Sequence, residues 1–279
     1  MTYKSVFTVL TKPKLDSSVL PQAADVARLF EAHLEVLCLG IDTSQGGYYF
    51  AGANAVILQE TLSRASAEAK AVDEAVRDWL DRTDLHWSSD AAMAQSGDLG
   101  RFVAGHGRFS DLAILPQPYG EDGGFDQEAV IEGALFGAQV PVLVMPEGAE
   151  LRSMPKRIAV AWNESAEALR TVRAALPLLM AAERVAVVVV DPPVHGPNRS
   201  DPGGLLSQYL ARHGVKVEID ILSRSLPRVS DVLSRYCTDM GADLLVMGAY
   251  GHSRFREAIF GGATREMLES AQLPVFMAH

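Results

Sequence analysis

Four glycines bracket one short stretch near the C-terminal end of the sequence. Gly248 and Gly251 directly follow the apolar run "ADLLVM", and Gly261 and Gly262 open a segment with helical spacing. Glycine permits positive φ and has no Cβ to hold a ligand away from the backbone. The first N–H groups of a helix, together with its positive dipole end, suit a phosphate. This spacing therefore predicts a loop that binds phosphate through main-chain amides.

Two further side chains of this loop could add to such a site. His252 lies within the loop among several arginines, and Thr264 offers a hydroxyl two residues after Gly262. Each glycine taken singly is more typical of an ordinary turn or cap than of a ligand site. Four of them at one strand–loop–helix junction favour the binding interpretation. Ligands of open parallel sheets bind at the carboxyl ends of strands, and this loop leaves such an end.

The elements that must position this loop follow a regular alternation. Short β-branched runs alternate with segments of helical period through the second half of the chain. The predicted order is strand 158–161, helix 165–180, strand 185–190, helix 204–213, strand 215–222, helix 226–240, strand 243–247, helix 262–270 and strand 275–277. Strands that alternate with helices of this length indicate βαβ units in a parallel sheet covered on both faces.

The same pattern occurs twice. "SDLAIL" at 110–115 is echoed by "ADLLVM" at 242–247, and "QVPVLVMP" at 139–146 by "QLPVFMAH" at 272–279. The first copy differs in a longer second helix, 53–81, whose apolar stripe predicts packing. We therefore predict two tandem, doubly wound α/β domains of five parallel strands each, spanning 1–148 and 155–279.

The last strand of each predicted domain, at 140–145 and 273–277, would leave an apolar sheet edge. Because an uncovered apolar edge invites pairing, we expect these two strands to face each other across an internal pseudo-twofold axis. Pairing of two whole chains into a homodimer is a further alternative that the sequence leaves open.

Composition and charge exclude several classes of partner. The formal charge of −10 and a pI near 5.2 disfavour binding to nucleic acid or to an anionic membrane. The apolar runs are too short for a membrane span, and no secretory signal is recognisable, so we expect a cytoplasmic protein. The two cysteines, Cys38 and Cys237, lie among apolar neighbours and are expected to be buried thiols.

The sequence lacks the common catalytic and metal-binding motifs. It contains no Walker A sequence, no G-x-G-x-x-G after a predicted strand, no G-x-S-x-G and no H-E-x-x-H. We therefore predict no catalytic residues and no metal ligands.

The stretch "GADLLVMGAYGHSRFREAIFGGATREMLESAQLPVFMAH" resembles the C-terminal part of universal stress protein (Usp) domains. Nucleotide-binding members of that family carry Gly-x2-Gly-x9-Gly followed by Ser or Thr. Gly248, Gly251 and Gly261 match in identity and spacing, whereas Gly262 stands where a hydroxyl residue is expected. Glycine keeps its own N–H donor there. The resemblance implies a Rossmann-like fold of the adenine nucleotide alpha hydrolase type, with phosphates on the glycine loop.

A second half-signature lies after the first strand of the second copy. "AVAWNESAEALRTV" resembles the family's Asp-x-Ser pattern, with Asn163 in place of Asp and with Ser165 matching. Asparagine keeps a hydrogen-bond acceptor for a ribose hydroxyl but deletes a charge. The resemblance places adenine against the backbone at the Val190–Asp191 junction. Asp191 equally well starts an Asp-Pro turn in "DPPVHGPN", so both interpretations stay open.

The first copy does not share these motifs. Prolines replace the first glycine position in "PQPYGEDGGFDQEAVIEG", and Glu121, Asp122, Asp126 and Glu128 add negative charge where phosphates would bind. Like charges at short range repel even when solvent screens them. The N-terminal half is therefore expected not to bind ATP, and to serve as a packing partner, a lid or a site for something else.

The resemblance implies a stress-response regulatory protein that holds ATP or AMP, with or without Mg²⁺, in its second domain. One alternative is a nucleotide-free module that binds a protein or a metabolite on the same scaffold. A slow hydrolase of adenine nucleotides is a third hypothesis, suggested by fold analogy alone.

Overall fold

The computed structural model describes residues 2–15, 18–43, 54–119, 125–192, 201–249 and 262–279, with the backbone alone at 54–58 and 125. The chain divides into two compact units. The N-terminal unit comprises residues 3–116 and 123–140, and the C-terminal unit comprises residues 1–2, 117–122 and 141–279. The domain bounds 1–148 and 155–279 stay a prediction, because the last strand of the first predicted domain groups with the C-terminal unit.

The N-terminal unit alternates strands and helices. Its elements are β1 (Ser5–Leu10), α1 (Leu20–Phe30), β2 (His33–Asp42), α2 (Asn54–Leu80), β3 (Trp87–Gln95), α3 (Leu99–Gly107), β4 (Leu112–Pro116) and α4 (Phe125–Glu132), which continues as a π-helical segment, Gly133–Ala138. The strand order is β3-β2-β1-β4, and the pairs β3·β2, β2·β1 and β1·β4 are parallel. Consecutive residues of β1, such as Val6 and Phe7, are fully buried. The sheet is therefore covered on both faces.

Helix α2 packs very closely on β2. A Cβ added at Gly40 would lie 1.7 Å from the carbonyl oxygen of Ala65. Only glycine leaves room for the helix at this position. The contact fixes the helix against the sheet at one point along its 27 residues.

The C-terminal unit repeats the alternation. Its elements are β5 (Val142–Met145), β6 (Arg157–Ala161), α5 (Ala166–Ala174), α6 (Leu176–Ala181), β7 (Arg184–Val190), α7 (Gly204–Arg212), β8 (Val217–Leu222), α8 (Val229–Met240), β9 (Leu244–Gly248), α9 (Ala263–Ser270) and β10 (Val275–Ala278). The strand order is β5-β10-β9-β6-β7-β8. All of these pairs are parallel except β5 with β10, which are antiparallel, with Val275 opposite Val144. That this pairing joins two domains stays a prediction, as does any homodimer.

The structure confirms the predicted fold class, because both units are built on mostly parallel α/β sheets. One predicted element is wrong in detail, since helix 165–180 is interrupted. α5 ends at Ala174 and α6 begins at Leu176, immediately before Pro177. Proline has no N–H to continue the hydrogen-bond ladder, which accounts for the break. No helix in the described ranges is both long and apolar enough to cross a membrane.

Candidate functional site

The strand order of the C-terminal unit reverses between β6 and β9. From β6 the chain proceeds through β7 to β8, and it then returns to the other side of β6 as β9. Ligands of open α/β sheets bind in the crevice at the carboxyl ends of two such strands. Asn163 follows one of these ends and Gly248 forms the other, with Ala161 paired to Met247. Two residues singled out by sequence thus flank one crevice.

A tight turn connects β6 to α5. The side-chain oxygen of Asn163 accepts a hydrogen bond from the Ser165 amide at 3.1 Å, and Glu164 between them has a positive φ of 62°. The Ser165 hydroxyl in turn accepts from the Ala168 amide at 3.1 Å and caps α5. Asn163 is exposed, and its amide group retains donors and a second lone pair. The pair therefore builds the helix start and leaves Asn163 able to bind a ligand.

Gly248 has a packing role that the sequence did not reveal. A Cβ built on it would lie 2.6 Å from the Ala168 nitrogen and 2.9 Å from the Glu167 carbonyl carbon. The first turn of α5 therefore lies directly against the end of β9. The first amides of a helix have no intrahelical acceptor, and its dipole is positive there. The crevice is thus bordered by the positive end of α5.

The end of β7 lies on the other side of β6. Val190 pairs with Leu222, and the Asp191 amide donates to the Leu222 carbonyl at 2.8 Å. Asp191 has a positive φ of 51° and is exposed, which agrees with its interpretation as a turn residue. Contact between adenine and this junction stays a prediction.

The start of α9 is described from Gly262 onwards. Gly262 precedes the helix in an extended conformation, and its carbonyl accepts from the Glu266 amide at 3.0 Å. Thr264 is only 4% exposed, so its side chain lies within the packed unit. Gly251, His252 and Gly261 lie outside the described residues.

Glu266 places a carboxylate in the first turn of α9, where it would repel an anion. The Ser230 hydroxyl donates to this carboxylate at 2.8 Å, and the Arg228 Nε lies 3.8 Å from it. The serine and the arginine therefore offset the negative charge close to the helix start.

Two contacts at the exit from β9 were not anticipated from sequence. The Ala249 amide donates to the Ala278 carbonyl at 3.0 Å, so this amide is already engaged within the protein. The Ala249 carbonyl lies 3.0 Å from Nδ1 of His279. No sequence motif assigns a role to His279. Its position directly after the strand that neighbours β9 was the signal that could have placed it here.

Thr171 makes two further hydrogen bonds in this region. The Thr171 hydroxyl donates to the Glu167 carbonyl at 2.7 Å and accepts from the Ala278 amide at 3.1 Å, which ties α5 to β10. Within the described ranges, His, Cys, Asp and Glu form no group of three or more that could hold a metal ion.

Comparison with known proteins identifies the scaffold. The family model of the universal stress protein family matches residues 154–279. A universal stress protein of Synechocystis sp. (strain PCC 6803) is 32% identical over 97 residues, which is 32% of this chain and 33% of that protein. The chain thus matches only about a third of the length of that curated relative.

Solved structures share the fold along almost the whole chain. A universal stress protein from Archaeoglobus fulgidus DSM 4304 superposes with a TM-score of 0.72 at 15% identity, covering 98% of this chain and 97% of that one. A protein of unknown function from Pseudomonas aeruginosa PAO1 gives a TM-score of 0.59 at 14% identity, covering 99% and 92%. At these identities the likeness concerns the fold alone. The C-terminal part of the chain, residues 154–279, is thus similar to the universal stress protein family.

Proposed function

We propose that the C-terminal unit binds an adenine nucleotide, ATP or AMP, and that the protein acts as a stress-response regulatory binding protein. One observation carries this proposal. Asn163 and Gly248 lie at adjacent strand ends where the strand order reverses, beside the positive end of α5. An anionic ligand with hydroxyl groups suits such a crevice, because the helix end favours phosphate and Asn163 offers an acceptor.

In this proposal each residue has a separate role. Asn163 accepts from a ribose hydroxyl, and the Val190–Asp191 junction contacts adenine. The amides of Gly248, Gly251, Gly261 and Gly262 contact the phosphates, with His252 and Thr264 adjoining, and Mg²⁺ would accompany the phosphates. The engaged amide of Ala249 is not among these donors. Ser165 acts indirectly by holding the first turn of α5.

In this proposal the protein binds the nucleotide and does not hydrolyse it rapidly. Rapid hydrolysis needs a positioned general base within hydrogen-bond reach of the attacking water. Asn163, beside the crevice, is an amide that cannot take up a proton at neutral pH. We therefore expect slow turnover of ATP with Mg²⁺, measurable as phosphate release from purified protein.

Isothermal titration calorimetry with ATP and AMP, with and without Mg²⁺, tests the binding. We expect a dissociation constant below about 1 mM, which corresponds to a binding free energy more favourable than roughly −4 kcal/mol. Asn163→Asp should tighten binding up to about tenfold, because a charged acceptor forms a hydrogen bond about twice as strong. Thr11→Asp, at the corresponding strand end of the N-terminal unit, is the matched control and should change nothing. A lack of affinity for both nucleotides below millimolar concentration contradicts the proposal.

A second candidate is a nucleotide-free module that binds a protein or a metabolite. It is favoured by the packing role of Gly248 and by the engaged amide of Ala249, because both give structural reasons for features otherwise ascribed to a ligand. Mass spectrometry of small molecules released on denaturation separates the two. A co-purified adenine nucleotide supports the first candidate, and its absence together with flat titrations supports the second.

A further inference from the structure

A cleft of about 560 Å³ opens in the N-terminal unit at the carboxyl end of β3. Its walls come from α2, β3 and α3, and they include Leu62, Met93 and Phe102. Small-molecule sites are clefts of roughly 300–1,000 Å³ lined mostly by apolar and aromatic groups with a few polar ones. The cleft falls within that range. It belongs to a different unit from the crevice between β6 and β9.

The length of α2 explains why a cleft forms here. The helix is anchored where Ala65 meets Gly40. Its 27 residues extend about 40 Å, whereas the nine residues of β3 extend about 30 Å. The helix is therefore longer than the strand it covers. Leu62, about one turn before Ala65, forms a wall of the cleft.

The apolar part of the cleft is partly open to solvent. Met93 is 38% exposed, and Leu62 and Phe102 are half-buried. The Phe102 ring stacks on the His106 ring, with centroids 4.8 Å apart and an interplanar angle of 29°. A Cβ added at Gly105, which also lines the cleft, would meet no atom within 4 Å. An open backbone beside stacked rings is a surface on which a flat ring can lie.

Three polar side chains of the cleft already have neighbours within the unit. Arg101 lies 3.1 Å from the Asp98 carboxylate. His106 Nδ1 lies 3.1 Å from the Phe102 carbonyl, and its Nε2 lies 3.6 Å from the Asp90 carboxylate. A charged ligand would have to compete with these pairs or lose its hydration without compensation. The cleft therefore favours an uncharged ligand.

We propose that this cleft binds an uncharged, planar, largely apolar small molecule. Its ring lies against Phe102 and Met93 and over the backbone of Gly105, and Gln95 supplies hydrogen-bonding groups at the rim. The proposal concerns the N-terminal unit alone. It does not depend on nucleotide binding by the C-terminal unit.

Fluorescence titration of the full chain with Nile red, an uncharged planar dye, tests the proposal. We expect saturable binding, which Gly105→Phe should weaken at least tenfold because the new ring fills open space in the cleft. Gly105→Ala should weaken it much less. Both variants should keep the melting temperature, because a residue with a side chain is favoured over glycine within a helix.

Phe102→Ala provides a second variant that does not depend on filling the cleft. It should also weaken Nile red binding at least tenfold. Phe109→Ala is its matched control, because Phe109 belongs to the same unit, is 82% exposed and lies outside the cleft walls. The proposal is overturned if the wild-type protein shows no saturable binding, or if Phe102→Ala binds the dye as the wild type does. It is also overturned if the anionic dye 8-anilinonaphthalene-1-sulfonate displaces Nile red at lower concentration.

Discussion

The two units are alike where their strands begin. The Asp111 carboxylate accepts hydrogen bonds from the amides of residues 4 and 5 at 2.7 and 3.0 Å, just at the start of β1. The Asp243 carboxylate accepts from the amides of residues 156 and 157 at 2.8 and 2.9 Å, at the start of β6. Each aspartate also donates its own amide to the carbonyl of the first strand residue, at 2.9 and 2.8 Å. The amino ends of the two sheets are thus built in the same way.

The carboxyl ends of the strands differ between the two units. β9 ends in Gly248, which admits the first turn of α5, whereas β4 ends in Pro116. Asp126 lies in the first turn of α4 and accepts from the Ser96 hydroxyl at 2.9 Å. Glu266 has the equivalent place in α9, where it accepts from the Ser230 hydroxyl, so the difference between the units lies in Gly248 and Pro116. Ligands of such sheets bind at the carboxyl ends of the strands. The two units therefore differ at the edge of the sheet where a ligand would bind.

Gly40→Ala is expected to cause the largest loss of stability, and this loss should be confined to the N-terminal unit. The new Cβ would lie 1.7 Å from the Ala65 carbonyl oxygen, so α2 must move away from β2. Overpacking a core usually costs about 1–3 kcal/mol, and we expect a loss of about 3 kcal/mol in the free energy of unfolding, measured by urea denaturation.

Thiol labelling shows which unit opens. Each unit contains one buried cysteine, Cys38 in β2 and Cys237 in α8. Burial raises the pKa of both thiols to about 12, so neither should react with a disulfide reagent at pH 8 unless its unit opens. Gly40→Ala should accelerate the labelling of Cys38 more than that of Cys237. Equal acceleration of both would show that the units do not open separately.

Gly248→Ala is the corresponding change in the C-terminal unit. The new Cβ would lie 2.6 Å from the Ala168 nitrogen, a less severe overlap, and we expect a loss of about 2 kcal/mol on urea denaturation. Here Cys237 should become the more reactive thiol. Nucleotide affinity should fall together with stability, because the first turn of α5 must shift. If affinity is retained while stability falls, Gly248 is a packing residue only.

Element order was largely predictable from sequence. The predicted helix 53–81 corresponds to Asn54–Leu80, and the predicted strand 185–190 to Arg184–Val190. Such agreement is expected where apolar spacing is regular, because burial of one face determines the secondary structure. The interruption before Pro177 was the exception, although the proline itself was a visible signal.

The site was only partly predictable. Asn163 and Gly248 lie at adjacent strand ends, which is the placement that the family resemblance implied. The contact between Gly248 and α5 could not be inferred, since spacing along a chain does not report the distance between a strand and a helix. The cleft near Gly105 was missed for the same reason, because three separate elements form its walls.

The two strand-start aspartates allow a direct test of the likeness between the units. Replacing either one with alanine removes two hydrogen bonds to a charged acceptor. Because both sites are exposed, we expect a loss of about 1.5 kcal/mol for Asp111→Ala, the lower end for such bonds, and a similar loss for Asp243→Ala. Guanidinium denaturation of the two variants measures this. A difference between them of more than about 1 kcal/mol would contradict equivalent roles for the two carboxylates.

Ser165→Ala is expected to cause the smallest loss of stability. It nevertheless distinguishes a role of Ser165 in holding the helix start from a role in binding the ligand. Loss of the cap to the Ala168 amide should cost about 1 kcal/mol, as is usual for an N-cap serine. The substitution leaves the side chain of Asn163 and the glycines unchanged. If Ser165 acts only by holding the first turn of α5, Ser165→Asp should restore both the stability and the helix start. Calorimetry should then show that Ser165→Asp binds ATP less tightly than the wild-type protein, because a new carboxylate beside the positive helix end repels phosphate. Full recovery of affinity would place the phosphates away from α5 and leave the glycine loop as their only contact.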